Sequence, residues 1–230
     1  MTKHLANIIT LINAFMGSIA IVFLYKEQYN WVFAAFCLGL MADFADGFVA
    51  RLLNIKSPVG KELDSMADMV SFGVLPGLVL HHLIMLNIMY FPDWMAYLGL
   101  LFPCFSAYRL AKFNLDTRQS ENFLGLAVPA ASSFVLGLLV IYVWQPESFL
   151  LHPLGMVLMM LVLGFLMISE LPMFSLKFKG IRWKGNGIRY LFLIFAVLAV
   201  VGLKAYALCV MVVAYVLFSV FSLFFVNAEA

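Results

Sequence analysis

The chain has 230 residues, of which 65% are hydrophobic and 11% charged, with a net charge of +2 and a mean hydropathy of +1.03. This composition excludes a water-soluble globule, which needs more polar surface, and the small net charge gives no basic patch that would suit nucleic acid. Long apolar runs between short polar loops are instead typical of a multi-pass protein of the cell membrane.

Apolar runs of about 20 residues, the length that crosses a bilayer as a helix, recur along the chain. We predict an all-α polytopic bundle in a single domain, residues 1–230, with about eight transmembrane helices. The predicted spans are 5–25, 31–52, 66–90, 93–113, 123–145, 149–171, 188–204 and 205–226. The first run also resembles a signal peptide that ends near Ala20, but its length favours a retained helix.

The basic residues divide unevenly between the two sides of this predicted bundle. Of the 14 Lys and Arg residues, only Lys26 and Lys204 fall on the side opposite the N-terminus. The others are Lys3, Arg51, Lys56, Lys61, Arg109, Lys112, Arg118, Lys177, Lys179, Arg182, Lys184 and Arg189. Because cytoplasmic loops are enriched in Lys and Arg, we predict that both termini are cytoplasmic.

Four aspartates lie at two neighbouring helix ends on the predicted cytoplasmic side. Asp43 and Asp46 come near the end of the second span, and Asp64 and Asp68 at the start of the third. Spacings of three and four residues place each pair on one helix face, and the short loop between the spans makes the two helices antiparallel neighbours. Converging carboxylates repel one another unless cations are present, and oxygen-only ligands favour hard ions such as Mg²⁺, Mn²⁺ or Ca²⁺.

Small residues and an arginine accompany these aspartates. Gly47 and Ala50 follow Asp46 at helical spacing, and Gly60 lies in the loop, so a ligand has room against the backbone. Arg51 carries a planar guanidinium that can bind a phosphate. Carboxylates, a divalent metal and an arginine suit a pyrophosphate substrate. The alternatives are an interfacial salt-bridge network and helix packing through the small residues.

The segment DFADGFVARLLNIKSPVGKELDSMAD, residues 43–68, has the spacing Asp-x2-Asp-Gly-x2-Ala-Arg-x8-Gly-x3-Asp-x3-Asp. It resembles the signature of the CDP-alcohol phosphatidyltransferases at every element. The resemblance implies that the four aspartates bind two divalent cations, Mg²⁺ or Mn²⁺, at the cytoplasmic interface. It also implies that the two glycines and the alanine of the signature line a cytidine pocket, and that Asp68 is the general base.

Two further segments resemble those of the phosphatidylserine synthases within that family. They are DSMADMVSFGVLPG, from Asp64, and YRLAKFNLDTRQSENFLGLAVPAAS, from Tyr108 to Ser132. Lys112 replaces an arginine of the usual pattern, and Ala127 replaces a proline. The resemblance implies transfer of the phosphatidyl group of CDP-diacylglycerol to the hydroxyl of L-serine, which gives phosphatidylserine and CMP. It also implies a homodimer in the bilayer.

Polar residues of the second segment form a candidate serine site: Arg109, Lys112, Asn114 and Arg118. A cationic pair can hold the serine carboxylate, but the same residues also suit contacts with lipid phosphates. Thr10 and Asn13 share a face of the first span, where polar side chains usually face protein. The resemblance places them near the donor nucleotide, and the alternative is hydrogen bonding between helices.

Three other functions compete with this interpretation. The same chemistry on glycerol 3-phosphate or an inositol compound needs more cationic residues around an anionic acceptor. A cation-coupled transporter usually places its acids near the midplane and often has inverted repeats, whereas these acids lie at one edge and the sequence has no visible repeat. A non-catalytic scaffold has little use for four aspartates at fixed spacing.

Overall fold

The structure is a computed structural model and describes residues 2–53, 57–116, 123–174 and 186–226. These ranges are mainly helical, as predicted. The α-helices are α1 (Thr2–Tyr25), α2 (Tyr29–Leu52), α3 (Pro58–Asp68), α4 (Leu75–Asn87), α5 (Trp94–Tyr97), α6 (Leu101–Leu115), α7 (Val128–Trp144), α8 (Pro153–Ile168), α9 (Gly187–Leu203) and α10 (Ala207–Val226). A π-helical turn, Met69–Val74, joins α3 to α4, and 3-10 turns lie at Leu98–Leu100, Phe149–Leu151 and Lys204–Tyr206.

Four helical stretches of the described chain are long and apolar enough to cross a membrane. They are Ala6–Tyr25, Tyr29–Leu52, Pro58–Asn87 and Gly187–Ser222. The helices α7 and α8 are also apolar but shorter. These findings support a membrane-embedded helical protein. A helix lies within each of the eight predicted spans, but the count of eight crossings and the side on which the termini lie stay predictions.

The third helix begins at Pro58, eight residues before the predicted span. Ser57 caps this helix, since its side chain accepts a hydrogen bond from the Gly60 N–H at 3.2 Å, and the proline occupies the first turn, where its missing N–H costs nothing. Asp64 and Asp68 therefore lie within α3, in the first part of the helical stretch Pro58–Asn87. The hydropathy pattern missed this polar first part of the helix.

A short antiparallel strand pair departs from the all-α prediction. β1 (Phe123–Leu124) pairs with β2 (Pro172–Met173), and Phe123 faces Met173 across the pair. The predicted fifth span therefore starts at Val128, where α7 begins, and not at residue 123. The strand pair connects the segment before the start of α7 to the segment after the end of α8.

The π-helical turn directly follows Asp68, and a proline explains it. Pro76 has no N–H, and its ring crowds the carbonyl of Phe72, four residues earlier. The chain widens here, and the Leu75 N–H bonds to the carbonyl of Val70, five residues back. Ser132 of α7 lies within hydrogen-bond distance of the Phe72 carbonyl and replaces the donor that the proline lacks. The π-helical turn is thus fixed to the core of the bundle.

Candidate metal centre and donor cavity

Three of the four signature aspartates converge at the cytoplasmic ends predicted for α2 and α3. Asp43 on α2 and the pair Asp64 and Asp68 on α3 each offer one carboxylate oxygen, and these oxygens lie within 4.8 Å of one another. The two residues of α3 share a face because they are four apart. Asp68 is 8% exposed, and the other two are half-buried.

The chemistry of this cluster fits a divalent cation. Between described residues, no ion pair reaches any of the four aspartates. Oδ2 of Asp46 and Oδ1 of Asp64 are buried and have no hydrogen-bond partner in the described part of the chain. Buried carboxylate oxygens without a partner are unfavourable unless a cation compensates them. Oxygen-only ligand sets suit Mg²⁺ and Mn²⁺, so these residues match the ions that the sequence predicts.

Asp46 occupies a different position from the other three aspartates. Its oxygens are not part of the set that converges within 4.8 Å. It lines, together with Asp64, an adjoining cavity of about 510 Å³ between α1, α2 and the start of α3. The structure therefore supports a metal-ligand role for Asp43 more than for Asp46, whose role as a ligand stays a prediction.

The adjoining cavity, which we call the donor cavity, collects most of the residues that the sequence assigns to the donor. Thr10, Gly47, Ala50 and Gly60 all line it. Gly47 and Ala50 on α2, and Gly60 on α3, have small or no side chains, so a ligand in the cavity can approach the backbone of both helices. Their convergence agrees with the predicted nucleotide pocket.

Arg51 does not line the donor cavity but lies beside its wall. Its side chain is exposed, and its two terminal nitrogens lie 3.6 and 3.9 Å from the point that a Cβ on Gly47 would occupy. The glycine thus leaves space for the guanidinium next to the cavity. A phosphate at the cavity rim would lie within reach of this cation.

Sequence reasoning missed three polar residues of the donor cavity, namely Asn7, Ser57 and Lys61. Asn7 lies against the first turn of α3, where the structure places Gly60 instead of in the predicted loop, and its Oδ1 is 3.2 Å from the point that a Cβ on Gly60 would occupy. A signal was present in the sequence, because Asn7, Thr10 and Asn13 follow one another at intervals of three residues. This stripe places polar groups on one face of α1.

Asn13 belongs to the metal centre rather than to the cavity lining. It is fully buried, and its Nδ2 donates a hydrogen bond to Oδ1 of Asp68 at 3.1 Å. Residues on α1 and α3 that are 55 positions apart in the sequence thus meet in one contact. The predicted contact of Asn13 with the donor is not visible in the lining of the cavity.

Two of the four predicted serine ligands hold helices together. Lys112 pairs with Glu170 at 3.4 Å and donates to the carbonyl of Ile168 at 3.3 Å. Asn114 donates to the Ser65 hydroxyl at 2.8 Å. Both side chains have protein partners, which favours a structural role over serine binding. Arg118 lies outside the described residues.

Arg109 is the predicted serine ligand that best fits a binding role. It is 4% exposed, and its Nε has no hydrogen-bond partner in the described part of the chain, while its guanidinium lies 5.2 Å from the ring centre of Phe113. A buried polar atom without a partner is unfavourable, so a bound anion would stabilise this side chain.

The packing of α6 places Arg109 at the level of the metal centre. At one end of the contact, Cβ of Ser106 lies 3.3 Å from the point that a Cβ on Gly73 would occupy. At the other end, Asn114 bonds to Ser65. Arg109 lies between these two contacts along α6, and Asp68 lies between them along the facing helix.

Comparison with known proteins agrees with this geometry. Residues 3–181 match the CDP-alcohol phosphatidyltransferase family. A Helicobacter pylori (strain J99) protein named CDP-diacylglycerol–serine O-phosphatidyltransferase is 34% identical over 183 residues, which cover 77% of this chain and 73% of that protein. A Bacillus subtilis protein of the same name is 31% identical over 74% of this chain and 89% of its own length. One from Methanocaldococcus jannaschii is 27% identical over 89% and 87%, respectively. The chain is therefore an enzyme of the CDP-alcohol phosphatidyltransferase family.

Proposed function

We propose that this enzyme transfers the phosphatidyl group of CDP-diacylglycerol to the hydroxyl of L-serine and releases CMP. The observation that carries the proposal is the convergence of Asp43, Asp64 and Asp68 beside the donor cavity. Family membership supports the phosphatidyl transfer. The name shared by the relatives from three organisms supports serine as the acceptor.

The converged aspartates would hold the divalent cation, Mg²⁺ or Mn²⁺, with Asp46 at the border between the metal centre and the donor cavity. We infer two ions from the signature. When bound, such ions neutralise the pyrophosphate and stabilise CMP as the leaving group.

The donor cavity would receive the nucleotide of CDP-diacylglycerol. Gly47, Ala50 and Gly60 provide space against the backbone, while Asn7 and Thr10 provide polar groups on the facing helix. Arg51 lies where it can bind a phosphate at the rim. The acyl chains would remain in the bilayer beside the helices, so only the polar part of the donor enters the protein.

Asp68 would act as the general base. Its Oδ1 accepts the hydrogen bond from Asn13, and the remaining lone pairs of the carboxylate would serve the cation and the serine proton. The serine oxygen forms a bond to the lipid-bearing phosphorus, the bond from that phosphorus to CMP breaks, and the proton passes to the carboxylate. Arg109, at the same level of the bundle, would hold the serine carboxylate.

We further infer that the metal centre faces the cytoplasm, that both termini lie on that side, and that eight helices cross the membrane. The bias of Lys and Arg residues toward one side supports this orientation. A homodimer remains an inference from the family signature.

The acceptor is tested by giving the purified protein CDP-diacylglycerol, Mg²⁺ and one alcohol at a time. The alcohols are L-serine, glycerol 3-phosphate and myo-inositol, and the products are CMP and the new phospholipid. We expect phosphatidylserine and an equal amount of CMP with serine. A phospholipid formed from another alcohol, and none from serine, would overturn the assignment of the acceptor.

A pair of variants controls for loss of folding in the same assay. Asp43→Asn removes one of the converged carboxylates and should abolish transfer to serine. Asp93→Asn changes an exposed acidic residue outside the metal centre and the donor cavity, and it should leave the rate unchanged.

A further inference from the structure

We propose that Asn13 is a positioning residue for Asp68, and that α1 thereby sets the orientation of the general base. The inference rests on the proposed function, because it takes Asp68 as the group that receives the proton. It assigns to Asn13 a role in the chemical step instead of a contact with the donor nucleotide.

The amide of Asn13 holds one oxygen of the Asp68 carboxylate in a defined direction. A carboxylate only accepts hydrogen bonds, so the amide must face it with Nδ2, as the 3.1 Å contact to Oδ1 has it. Both side chains are buried, at 0% and 8% exposure, and a hydrogen bond to a charged group is strengthened where water is excluded. The bond therefore fixes the rotation of the carboxylate.

The contact between α1 and the π-helical turn keeps Asn13 at this distance. The Ser71 hydroxyl, three residues after Asp68, donates to the backbone carbonyl of Asn13 at 2.8 Å. A Cβ on Gly17 would lie 2.3 Å from that hydroxyl oxygen and 2.8 Å from the Ser71 Cα. The absence of a side chain at Gly17 lets α1 approach the backbone that carries the base.

A glycine on α2 accommodates the other side of the amide. A Cβ on Gly39 would lie 3.3 Å from Oδ1 of Asn13, closer than an ordinary contact. The Asn13 side chain thus fits between α2 and α3, with its donor group toward Asp68. Its orientation follows from packing on both sides.

The π-helical turn is tied to a second helix on its far side. Ser132 of α7 approaches the Phe72 carbonyl, which has no N–H donor at Pro76. The turn after Asp68 is therefore bonded to α1 through Ser71 and to α7 through Ser132. This arrangement restricts movement of the base relative to the ligands on α2.

The test replaces the amide by a side chain of similar volume that cannot donate. Asn13→Leu should lower kcat about tenfold to a hundredfold, the scale of a lost hydrogen bond to a charged group, and should leave KM for CDP-diacylglycerol within about twofold. Mn²⁺ binding, measured by electron paramagnetic resonance of the purified protein, should also stay within about twofold. Ser18→Ala is the matched control and should change neither quantity, because it removes an exposed hydroxyl that, in the described part of the chain, bonds only to the Ala14 carbonyl of α1.

A milder variant decides the question if Asn13→Leu does not fold. Ser71→Ala keeps every proposed ligand and removes the bond to the Asn13 carbonyl, so kcat should fall about threefold to tenfold with donor KM unchanged. Its control is Ser133→Ala, whose hydroxyl donates to the Pro129 carbonyl of its own helix and has no other hydrogen-bond partner among the described residues.

An unchanged kcat in the Asn13→Leu variant would overturn the proposal, as would a raised donor KM with kcat intact, which would make Asn13 a donor ligand. Loss of Mn²⁺ binding would also overturn it, because Asn13 would then maintain the metal centre as a whole. The ratio of variant to wild-type kcat is measured with whichever alcohol the wild type accepts. If the wild type accepts an alcohol other than serine, the proposed acceptor is wrong, but the kcat ratio still tests the role of Asn13.

Discussion

Asp68 has two neighbours that separate its role from that of the other aspartates, namely Asn13 and the π-helical turn. Asp68→Asn keeps the size of the side chain and removes its basicity. We expect turnover to fall by roughly a hundredfold or more, the usual scale for loss of a general base, while donor binding survives in part. Steady-state kinetics with both substrates varied measure this. Near-normal turnover would place the base elsewhere.

Asp43 and Asp46 should differ although they are three residues apart on α2. Asp43 belongs to the converged set, whereas Asp46 lines the donor cavity. Asp43→Asn should therefore weaken Mn²⁺ binding by about tenfold or more, and Asp46→Asn should raise KM for CDP-diacylglycerol more than it weakens the metal. If both variants weaken Mn²⁺ binding and raise KM for CDP-diacylglycerol to the same extent, Asp43 and Asp46 do not have separate roles.

The spacing of the aspartates predicted which helix face each pair occupies, whatever the rest of the chain does. Asp43, Asp64 and Asp68 converge, Asp46 does not join them, and metal binding stays a prediction.

The sequence could not predict the partners of Lys112 and Asn114, since these depend on which distant helices pack against α6. Their polar side chains suggested that both belong to the serine site. The contacts of Lys112 with Glu170 and of Asn114 with Ser65 indicate that both side chains stabilise the packing of α6.

At the scale of the elements, the contact of α1 with the π-helical turn depends on the missing side chain of Gly17. Gly17→Ala would place a Cβ 2.8 Å from the Ser71 Cα, so the helices must separate. We expect about 1–3 kcal/mol of destabilisation from overpacking, seen as a lower midpoint in thermal unfolding in detergent. Gly202→Ala, where a Cβ meets nothing within 4 Å, should show no such loss. An unchanged midpoint for Gly17→Ala would mean that the helices do not meet this closely.

Hydropathy located the helices but not their true ends. The polar first turns of α3 were excluded from the third span, although Ser57 followed by Pro58 is a recognisable helix start. The π-helical turn follows from Pro76 only in combination with Ser132, which approaches from α7. The β1–β2 pair joins residues 48 and 50 positions apart in the sequence, and two-residue strands have no periodicity to detect.

At the scale of the whole molecule, the bias of basic residues predicts that the metal centre lies on the cytoplasmic side. Val59, at the exposed start of α3, and Tyr90, beyond the end of α4, should then lie on opposite sides of the membrane. In a cysteine-free background, Val59→Cys should react with an impermeant thiol reagent only after cells are permeabilised. Tyr90→Cys should react in intact cells. The reverse pattern would invert the proposed topology.

The central claim is that divalent metal at the aspartate cluster drives transfer of a phosphatidyl group to serine. The most direct measurement is the formation of phosphatidylserine and CMP by purified protein before and after metal removal with EDTA. We expect chelation to abolish both products and Mg²⁺ or Mn²⁺ to restore them. The reason is that the buried oxygens of Asp46 and Asp64 have no hydrogen-bond partner in the described part of the chain. Full activity in thoroughly demetallated protein would contradict the central claim.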